Sequence, residues 1–128
     1  TRPYRIPAVK ATTFADSISV DSPRDGVAAV RAVLDSGGAA VEVTDDEIAR
    51  AMAVVASSAG IFCEPAASAG VASLIKAVRT GIIRTGDQVV VLLTGNGLKD
   101  VDAALRVAGA PKPIRPDLSI VRRVVEAR

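Results

Sequence analysis

The sequence predicts an α/β fold, in which a partial, open parallel sheet is flanked by helices as three α/β/α layers. Short apolar segments alternate along the 128 residues with helical patterns of a dozen or so residues, which is the order typical of α/β units. The segment "QVVVLL" at 88–93 is apolar on both faces, as expected of a strand with helices on both sides.

The first predicted helix follows a proline-containing lead-in. Ser22 is placed to cap it and Pro23 to occupy its first position, an arrangement typical of helix starts. Its predicted buried stripe consists of Val27, Val30, Val33 and Leu34. Gly37 is expected to end the helix, and the short apolar segment 39–43 is a predicted strand.

A capping box opens the second predicted helix. In "TDDE", the Thr44 side chain is placed to accept from the backbone of Glu47, whose own side chain reaches back to Thr44. The apolar residues that follow at helical spacing are Ile48, Ala51, Met52 and Val55. Gly60 is the predicted end of this helix, and residues 61–63 form the next predicted strand.

The third predicted helix has Glu64 as its N-cap and Pro65 at its first position. Its predicted buried stripe consists of Ala67, Val71, Leu74, Ile75 and Val78. Small residues fill the first turns at 66–70, which indicates either tight packing against the sheet or the close approach of a ligand to the helix N-terminus. Further helices are predicted at 101–107 and 118–126.

The composition argues against several kinds of site. The chain has no His and a single cysteine, Cys63, which removes His-based triads, the usual zinc ligand and an internal disulfide. Aromatic residues make up 2% and the net charge is +2, which argues against a nucleic-acid partner. No apolar run reaches the length of a membrane span, and no signal peptide opens the chain. We therefore expect a cytoplasmic protein without a metal site.

The loop "TGNG" at 94–97 follows the strand predicted at 88–93. Ligands of open α/β sheets bind past the carboxyl ends of the strands, and the Thr94 hydroxyl is the first polar side chain after the apolar run. Gly95 and Gly97 allow close approach of another group. The spacing matches neither a P-loop nor a dinucleotide motif. The residues alone leave two interpretations open, an ordinary turn and a ligand crevice at Thr94.

Residues 64–100, "EPAASAGVASLIKAVRTGIIRTGDQVVVLLTGNGLKD", resemble the C-terminal part of threonine synthase, a fold-type II pyridoxal-phosphate enzyme of the tryptophan-synthase-β-like class. The "TGNGLKD" end is the more specific element, whereas the "EPA" helix is shared with serine and threonine dehydratases. The segment "ATTFADSISVDSPRDGVAAVRAV" also resembles this family, so the resemblance covers residues 11–100. It implies that the predicted sheet is a fragment of the type II fold.

The resemblance implies cofactor-binding roles for five residues. Thr94 would face the pyridine nitrogen of pyridoxal phosphate with its hydroxyl, which leaves the ring a weaker electron sink than an Asp partner would. Gly95 and Asn96 would shape the loop beneath the ring. Glu64 would lie close to the ring at a helix start, with a plain helix cap as the alternative. Ala15 would lie near the cofactor's edge, together with the two residues that follow it. No catalytic residue is implied within the chain.

The resemblance also implies what this chain does not supply. Family members hold the cofactor through a Schiff-base lysine and a glycine-rich phosphate loop, and both belong upstream of the matched region. The four lysines are Lys10, Lys76, Lys99 and Lys112, and none matches the family's Schiff-base motif. Lys99 is interpreted as a surface partner of Asp100. We therefore expect pyridoxal phosphate to serve the full-length enzyme and not to bind covalently here.

We divide the chain into an extended lead-in at 1–10, an α/β threonine-synthase-like domain at 11–110, and a loop with a C-terminal helix at 111–128. The expected function is that of the C-terminal part of threonine synthase, a lyase of threonine biosynthesis that converts O-phosphohomoserine and water to threonine and phosphate. The isolated chain is expected to be inactive, to need the missing N-terminal catalytic portion as a partner, and to self-associate through exposed aliphatic surface. The alternatives are a dehydratase-like or cysteate-synthase-like fragment and a free-standing small-ligand-binding module.

Overall fold

The structure is a computed structural model that describes residues 4–110 and 112–127 of the chain. Within these residues the chain forms α1 (Gly26–Asp35), α2 (Asp45–Ala59), α3 (Pro65–Arg79), α4 (Val101–Ala108) and α5 (Leu118–Glu126), with 3-10 turns at Asp16–Ile18 and Gly97–Lys99. Each predicted helix is thus present. Residues 1–3, 111 and 128, at the limits of the predicted lead-in and of the predicted C-terminal part, lie outside the described residues, and the three-part division stays a prediction.

The capping box at the start of α2 is confirmed. The Glu47 N–H donates to Thr44 Oγ1 at 3.2 Å, and the Thr44 N–H donates to Glu47 Oε2 at 2.8 Å. Gly60 ends the helix with a φ of +67°, a left-handed conformation that favours glycine. The predicted stripe is also confirmed, since the residues that α2 buries are Ile48, Ala51, Met52 and Val55.

The buried face of α3 agrees with the predicted stripe only in part, since Ala67 is buried and Val71 packs against the core. The residues that α3 buries are Pro65, Ala67, Ser68, Ala72 and Ala77. Ala72 packs against Ile48 and Ala51 of α2, whereas Ile75 and Val78 of the predicted stripe are 48% and 54% exposed. Small side chains make this contact because they let two helix backbones approach closely. Periodicity alone did not show which of two apolar faces meets the partner helix.

Helix α1 begins later than predicted, at Gly26 instead of Pro23, and its N-cap is Asp25 without a side-chain cap bond. Val27 and Leu34 of its predicted stripe are exposed. Within the described residues no other helix makes an extensive contact with α1, so its apolar side is left largely uncovered. The end of the helix before Gly37 agrees with the prediction.

The predicted parallel sheet is not formed within the described residues. Segments 39–43, 61–63 and 88–93 show no strand ladder, apart from an isolated antiparallel bridge between Cys63 and Asn96. Segments 39–43 and 88–93 both line one groove over α3, and neither makes a backbone hydrogen bond to the other. Strands pair only at hydrogen-bonding distance. The expected α/β/α layering is therefore not seen in this part of the molecule.

Segment 88–93 nevertheless alternates as a strand with one covered face does. Val91 lies over Gly70 of α3, and Leu93 packs against the core between α2 and α3. Val90 and Leu92 point to the other side and are 87% and 78% exposed. Among the described helices, none has the length and apolarity needed to cross a membrane.

Candidate functional site

The loop 94–97 and the N-terminus of α3 lie against each other. The Glu64 N–H donates to the Gly95 carbonyl oxygen at 3.0 Å, and the Gly97 N–H donates to the Phe62 carbonyl oxygen at 3.1 Å. These two bonds hold the end of segment 88–93 beside the start of α3. The "EPA" motif that begins at Glu64 and the "TGNG" motif at 94–97 therefore contact each other.

The Glu64 carboxylate is the central buried charge of this place. Glu64 is 7% exposed and occupies the N-cap position of α3 without a side-chain cap bond. Its Oε2 accepts a hydrogen bond from Ser17 Oγ at 3.1 Å and lies 3.1 Å from Lys99 Nζ. A buried carboxylate is stable only when it is paired. The interpretation of Glu64 as a plain helix cap is wrong, because its side chain binds these two partners instead.

Lys99 is the residue of this cluster that the sequence analysis missed. Its expected partner Asp100 instead accepts from the Ala103 N–H at 2.9 Å and caps α4. Lys99 reaches Glu64, which is distant in sequence and joined to it only through the fold. The local pattern carries no signal for this contact, since neighbouring opposite charges suggest a local pair whether or not one forms.

Position 95 requires a glycine because the side chain of another residue occupies the adjacent space. Its backbone angles do not require one. A Cβ added at this position would overlap the Glu64 carboxylate, and within the described residues Gly95 is not among the glycines with positive φ. At Gly97, an added Cβ would lie 2.6 Å from ring atoms of Phe62. Both glycines thus let other side chains pack directly on the loop backbone.

Thr94 and Asn96 flank Gly95 on the open side of the loop, and both are exposed. Asn96 Oδ1 accepts from the Leu98 N–H at 2.8 Å, so this side chain holds the turn that follows. The Thr94 hydroxyl lies where the apolar segment ends and solvent begins. The exposed side of the loop therefore includes the Thr94 side chain.

Ala15 belongs to the hydrophobic core, whereas Ser17 belongs to the candidate site. The Ala15 side chain is 0% exposed and packs with Ile48 and Ala72, so its methyl group belongs to the helix core. Ser17, two residues later, donates to Glu64. The structure thus brings the Ala15–Ser17 stretch to the α3 N-terminus, with Ser17 making the polar contact.

A cavity of about 200 Å³ opens at this cluster. Its polar lining comes from Asp16, Ser17, Glu64, Lys99 and Asp100. Pockets for small molecules are usually about 300–1,000 Å³. Within the described residues the cavity is therefore too small to enclose a cofactor.

By its chemistry, a Thr94 hydroxyl next to the Gly95 backbone suits the ring end of a pyridoxal phosphate group. Thr94 is not among the residues that line the cavity of about 200 Å³. The phosphate end does not fit at α3, because the helix N-terminus that could stabilise an anion already has the Glu64 carboxylate beside it. Lys76 and Lys99 are paired with Glu47 and Glu64.

Glu47 lies outside this site and joins two helices. The backbone hydrogen bond from Thr44, followed by the side-chain hydrogen bond and the charge of Lys76, holds the pKa of the Glu47 carboxyl below its ordinary value. Its role is therefore the structural one of joining α2 to α3.

Comparison with known proteins identifies a family and several relatives. Residues 2–95 match the family model described as pyridoxal-phosphate dependent enzyme. A threonine synthase of Methanocaldococcus jannaschii is 38% identical over 121 residues, which are 94% of this chain and 30% of the relative. Threonine synthases of Mycobacterium leprae and Halalkalibacterium halodurans are 40% and 39% identical over 87% and 82% of this chain, and over 31% and 30% of their own length.

These matches confirm the resemblance to threonine synthase and pyridoxal phosphate as the cofactor of the family. The chain spans about 30% of the length of the curated relatives it matches. The family model covers Ala15, Glu64, Thr94 and Gly95 and ends just before Asn96. The chain belongs to the pyridoxal-phosphate dependent enzyme family.

Proposed function

We propose that this chain is the C-terminal part of a threonine synthase, which converts O-phosphohomoserine and water to threonine and phosphate. The observation that carries the proposal is the meeting of the loop 94–97 with the α3 N-terminus, in a chain whose relatives are named threonine synthase. Function in the cytoplasm is part of the proposal and is supported by the single, buried Cys63.

Thr94 would hold the ring end of the cofactor through its hydroxyl, and Gly95 and Asn96 would form the surface beneath it. When bound, pyridoxal phosphate supplies an electron sink for elimination and replacement at an amino acid. A neutral hydroxyl donates or accepts one hydrogen bond and adds no charge at the ring edge. Thr94 thus orients the group while leaving its charge unchanged.

The Glu64 cluster, which consists of Glu64, Ser17 and Lys99, would hold the loop 94–97 in position. Ser17 and Lys99 hold the carboxylate on one oxygen, so Glu64 is anchored and its negative charge is offset. An anchored pair of this kind positions the loop through Gly95 and is not itself placed to take a proton from a substrate. We therefore assign positioning roles to Glu64 and Lys99.

The chain would need a second polypeptide portion to complete the site. The residues that line the cavity of about 200 Å³ would form one wall of the cofactor site. The phosphate end of the cofactor has no fitting cradle at α3. We propose that an N-terminal catalytic portion supplies the lysine, the phosphate loop and the remaining strands of an open parallel α/β/α sheet. On its own the chain would be inactive, and its exposed apolar residues, such as Val90 and Leu92, would drive self-association.

The test is phosphate release from O-phosphohomoserine. The chain would be assayed alone and after co-expression with the part of the Methanocaldococcus jannaschii threonine synthase that precedes the matched region. We expect turnover only from the complex. Thr94→Ala should lower it by about tenfold or more, as loss of one positioned donor does, whereas Thr85→Ala, at an exposed turn, should not. Turnover by the chain alone would refute the requirement for a partner.

Two further measurements test the remaining parts of the proposal. If serine or threonine is deaminated by the complex while O-phosphohomoserine is not consumed, the dehydratase alternative replaces threonine synthase. Light scattering of the isolated chain should show a dimer or a larger assembly, and a monomer at tens of micromolar would contradict the expected self-association.

A further inference from the structure

We propose that Asp45 is a positioning residue of the candidate site, because it holds segment 13–18 in the place from which Ser17 reaches Glu64. The effect on turnover rests on the proposed function, whereas the contacts themselves lie within this chain. The inference gives a role to a carboxylate outside the site, which neither the family nor the relatives' names assign.

The Asp45 carboxylate binds segment 13–18 with both of its oxygens. Thr13 Oγ1 donates to Asp45 Oδ1 at 2.6 Å, and the Phe14 N–H donates to Asp45 Oδ2 at 3.1 Å. The Ala15 N–H in turn donates to Thr13 Oγ1 at 3.2 Å. Hydrogen bonds to an ionised carboxylate are roughly twice as strong as neutral ones. One side chain therefore fixes three consecutive residues of the segment.

Asp45 lies at the first position of α2 but does not cap this helix. The cap is formed by Thr44 and Glu47, which bond to each other. The partners of Asp45 lie 31 and 32 positions earlier in the chain, so its carboxylate joins the start of α2 to a distant segment. The adjacent Asp46 is exposed and takes no part in these bonds.

Apolar packing holds the same segment against the helices without fixing its orientation. Ala15 is buried in a cluster with Ile48, and Phe14 packs against that cluster. The Arg106 guanidinium lies 5.1 Å from the centroid of the Phe14 ring. Hydrophobic burial is non-directional, whereas a hydrogen bond weakens steeply as its angle departs from the preferred range. The two bonds to Asp45 therefore supply the orientation that packing does not.

The 3-10 turn at Asp16–Ile18 carries this orientation to the site. The Ile18 N–H donates to the Ala15 carbonyl oxygen at 3.1 Å, which closes the turn on the part of the segment that α2 holds. Ser17 lies inside the turn, and its Oγ donates to Glu64 Oε2 at 3.1 Å. The bonds at the start of α2 therefore decide whether the serine hydroxyl meets its carboxylate.

The test is a pair of double-mutant cycles on the chain at one protein concentration. Asp45→Ala and Asp46→Ala each remove one acid from the first turn of α2, so both lose a similar attraction to the helix dipole. Each is combined with Ser17→Ala, and the equilibrium constant for unfolding is measured by urea denaturation.

We expect Asp45→Ala to cost less in the Ser17→Ala background, where the bond to Glu64 is already absent. The coupling should be about threefold or more in the unfolding constant, and Asp46→Ala should be additive with Ser17→Ala. Additivity in both cycles would overturn the proposal.

Thr13→Val gives the same test in a milder form. Valine is close to threonine in shape, and the change removes the bond to Asp45 Oδ1 and the acceptor of the Ala15 N–H. The Phe14 bond to Asp45 remains. If Asp45→Ala does not fold, coupling of Thr13→Val with Ser17→Ala decides in its place, and additivity there counts against the proposal in the same way.

The consequence for turnover is measured in the complex with the co-expressed Methanocaldococcus jannaschii portion, at saturating pyridoxal phosphate. Because Glu64 packs on Gly95, loss of the serine contact lets the carboxylate shift against the loop 94–97. We expect Asp45→Ala to lower kcat by about tenfold or more through misplacement, with little change in KM. Asp46→Ala should leave both constants unchanged. Equal kcat values for the two variants would overturn the proposal.

Asp45→Asn distinguishes the position of the segment from the charge of the carboxylate. The amide keeps the planar shape and one acceptor oxygen for the Phe14 N–H, so kcat should lie between the values for the wild type and Asp45→Ala. An Asp45→Asn variant no more active than Asp45→Ala would assign the effect to the charge and contradict a positioning role.

The two proposals can fail separately. A wild-type complex without turnover refutes threonine synthase activity, and the stability cycles then decide the role of Asp45 alone. Turnover by the complex together with additive cycles refutes the role of Asp45 and leaves the proposed function intact.

Discussion

Gly95→Ala places a methyl group where the Glu64 carboxylate now lies. The Cβ of an alanine at this position would be 2.5 Å from Glu64 Cγ and would overlap the carboxylate itself. The backbone adds no strain, because Gly95 has no positive φ. The carboxylate must therefore move, and its contacts with Ser17 Oγ and Lys99 Nζ, both at 3.1 Å, are lost together.

The expected cost follows from these contacts. Overpacking a filled site costs about 1–3 kcal/mol, and one lost hydrogen bond to a buried acceptor adds about 1 kcal/mol. The lost ion pair adds little, because the Lys99 side chain is 61% exposed and solvent screens it. Alanine also restricts the unfolded chain, which offsets about 0.4–1 kcal/mol. We expect a net loss of about 2 kcal/mol in the free energy of unfolding.

A double-mutant cycle with Glu64→Ala isolates the clash. Urea denaturation followed by circular dichroism would be measured for the wild type, both single variants and the double variant. In the Glu64→Ala background the three atoms nearest to the methyl group, all of the Glu64 side chain, are absent. Gly95→Ala should therefore be neutral or slightly stabilising there, with a coupling energy of about 2 kcal/mol. An equal loss in both backgrounds would refute the placement of Glu64 against Gly95.

Three other predictions concern the helices that support the site. Thr44→Ala should lower the free energy of unfolding by about 1 kcal/mol, because α2 loses the side-chain half of its capping box. Ile48→Ala should cost about 2–4 kcal/mol at a 3% exposed position, whereas Val54→Ala, at a 49% exposed position, should change stability by less than about 0.5 kcal/mol. The third concerns pH: the folded-state pKa of Glu47 is lowered by the Thr44 backbone bond and by Lys76. Its ionised form therefore stabilises the fold above the unfolded-state pKa and ceases to do so as pH falls through the folded-state pKa. The stability difference between the wild type and Glu47→Gln should accordingly shrink on acidification from about pH 6 to pH 3, measured by urea denaturation.

Each of these predictions has a contrary outcome. Thr44→Ala should cost more than Ser57→Ala, and equal costs would argue against the capping box. Equal losses from Ile48→Ala and Val54→Ala would contradict the packing of α2 on α3. A difference between the wild type and Glu47→Gln that does not change with pH would contradict the lowered pKa.

Features that depend on neighbouring residues were predictable from the sequence. The capping box at Thr44, the glycine end at Gly60 and the bounds of α5 were all anticipated, because caps and turns are set by a few adjacent side chains. The buried stripe of α2 was also correct, since α2 has a single apolar face. The start of α1 was misplaced because Ser22 and Pro23 form a plausible cap that the chain does not use.

Features that depend on distant contacts were not predictable in the same way. The buried face of α3 is made of small residues such as Ala72, and only the contact with α2 selects that face. The strands were anticipated from their apolar patterns, but pairing depends on which segments lie side by side, and 39–43 and 88–93 do not. The predicted sheet is therefore not seen in the described part of the chain.

The candidate site includes features that the sequence predicted and a contact that it did not predict. The motifs around Glu64 and Gly95 were singled out in the sequence, and the fold brings them into contact. Lys99 was assigned to Asp100, because sequence neighbours offer the simplest ion pair, whereas the structure pairs it with Glu64. The roles of Thr94, Asn96 and Ala15 toward a cofactor stay predictions, since they concern a group that the chain itself does not enclose.

The measurement that tests the central claim most directly is an absorbance titration of the purified chain with pyridoxal phosphate, followed by borohydride reduction and mass spectrometry. If the chain supplies only one wall of the site, no saturable protein-linked band should appear and no single lysine should be trapped. A band that saturates at one cofactor per chain and is trapped on one of the four lysines would show that the chain carries a complete site, and would contradict the account.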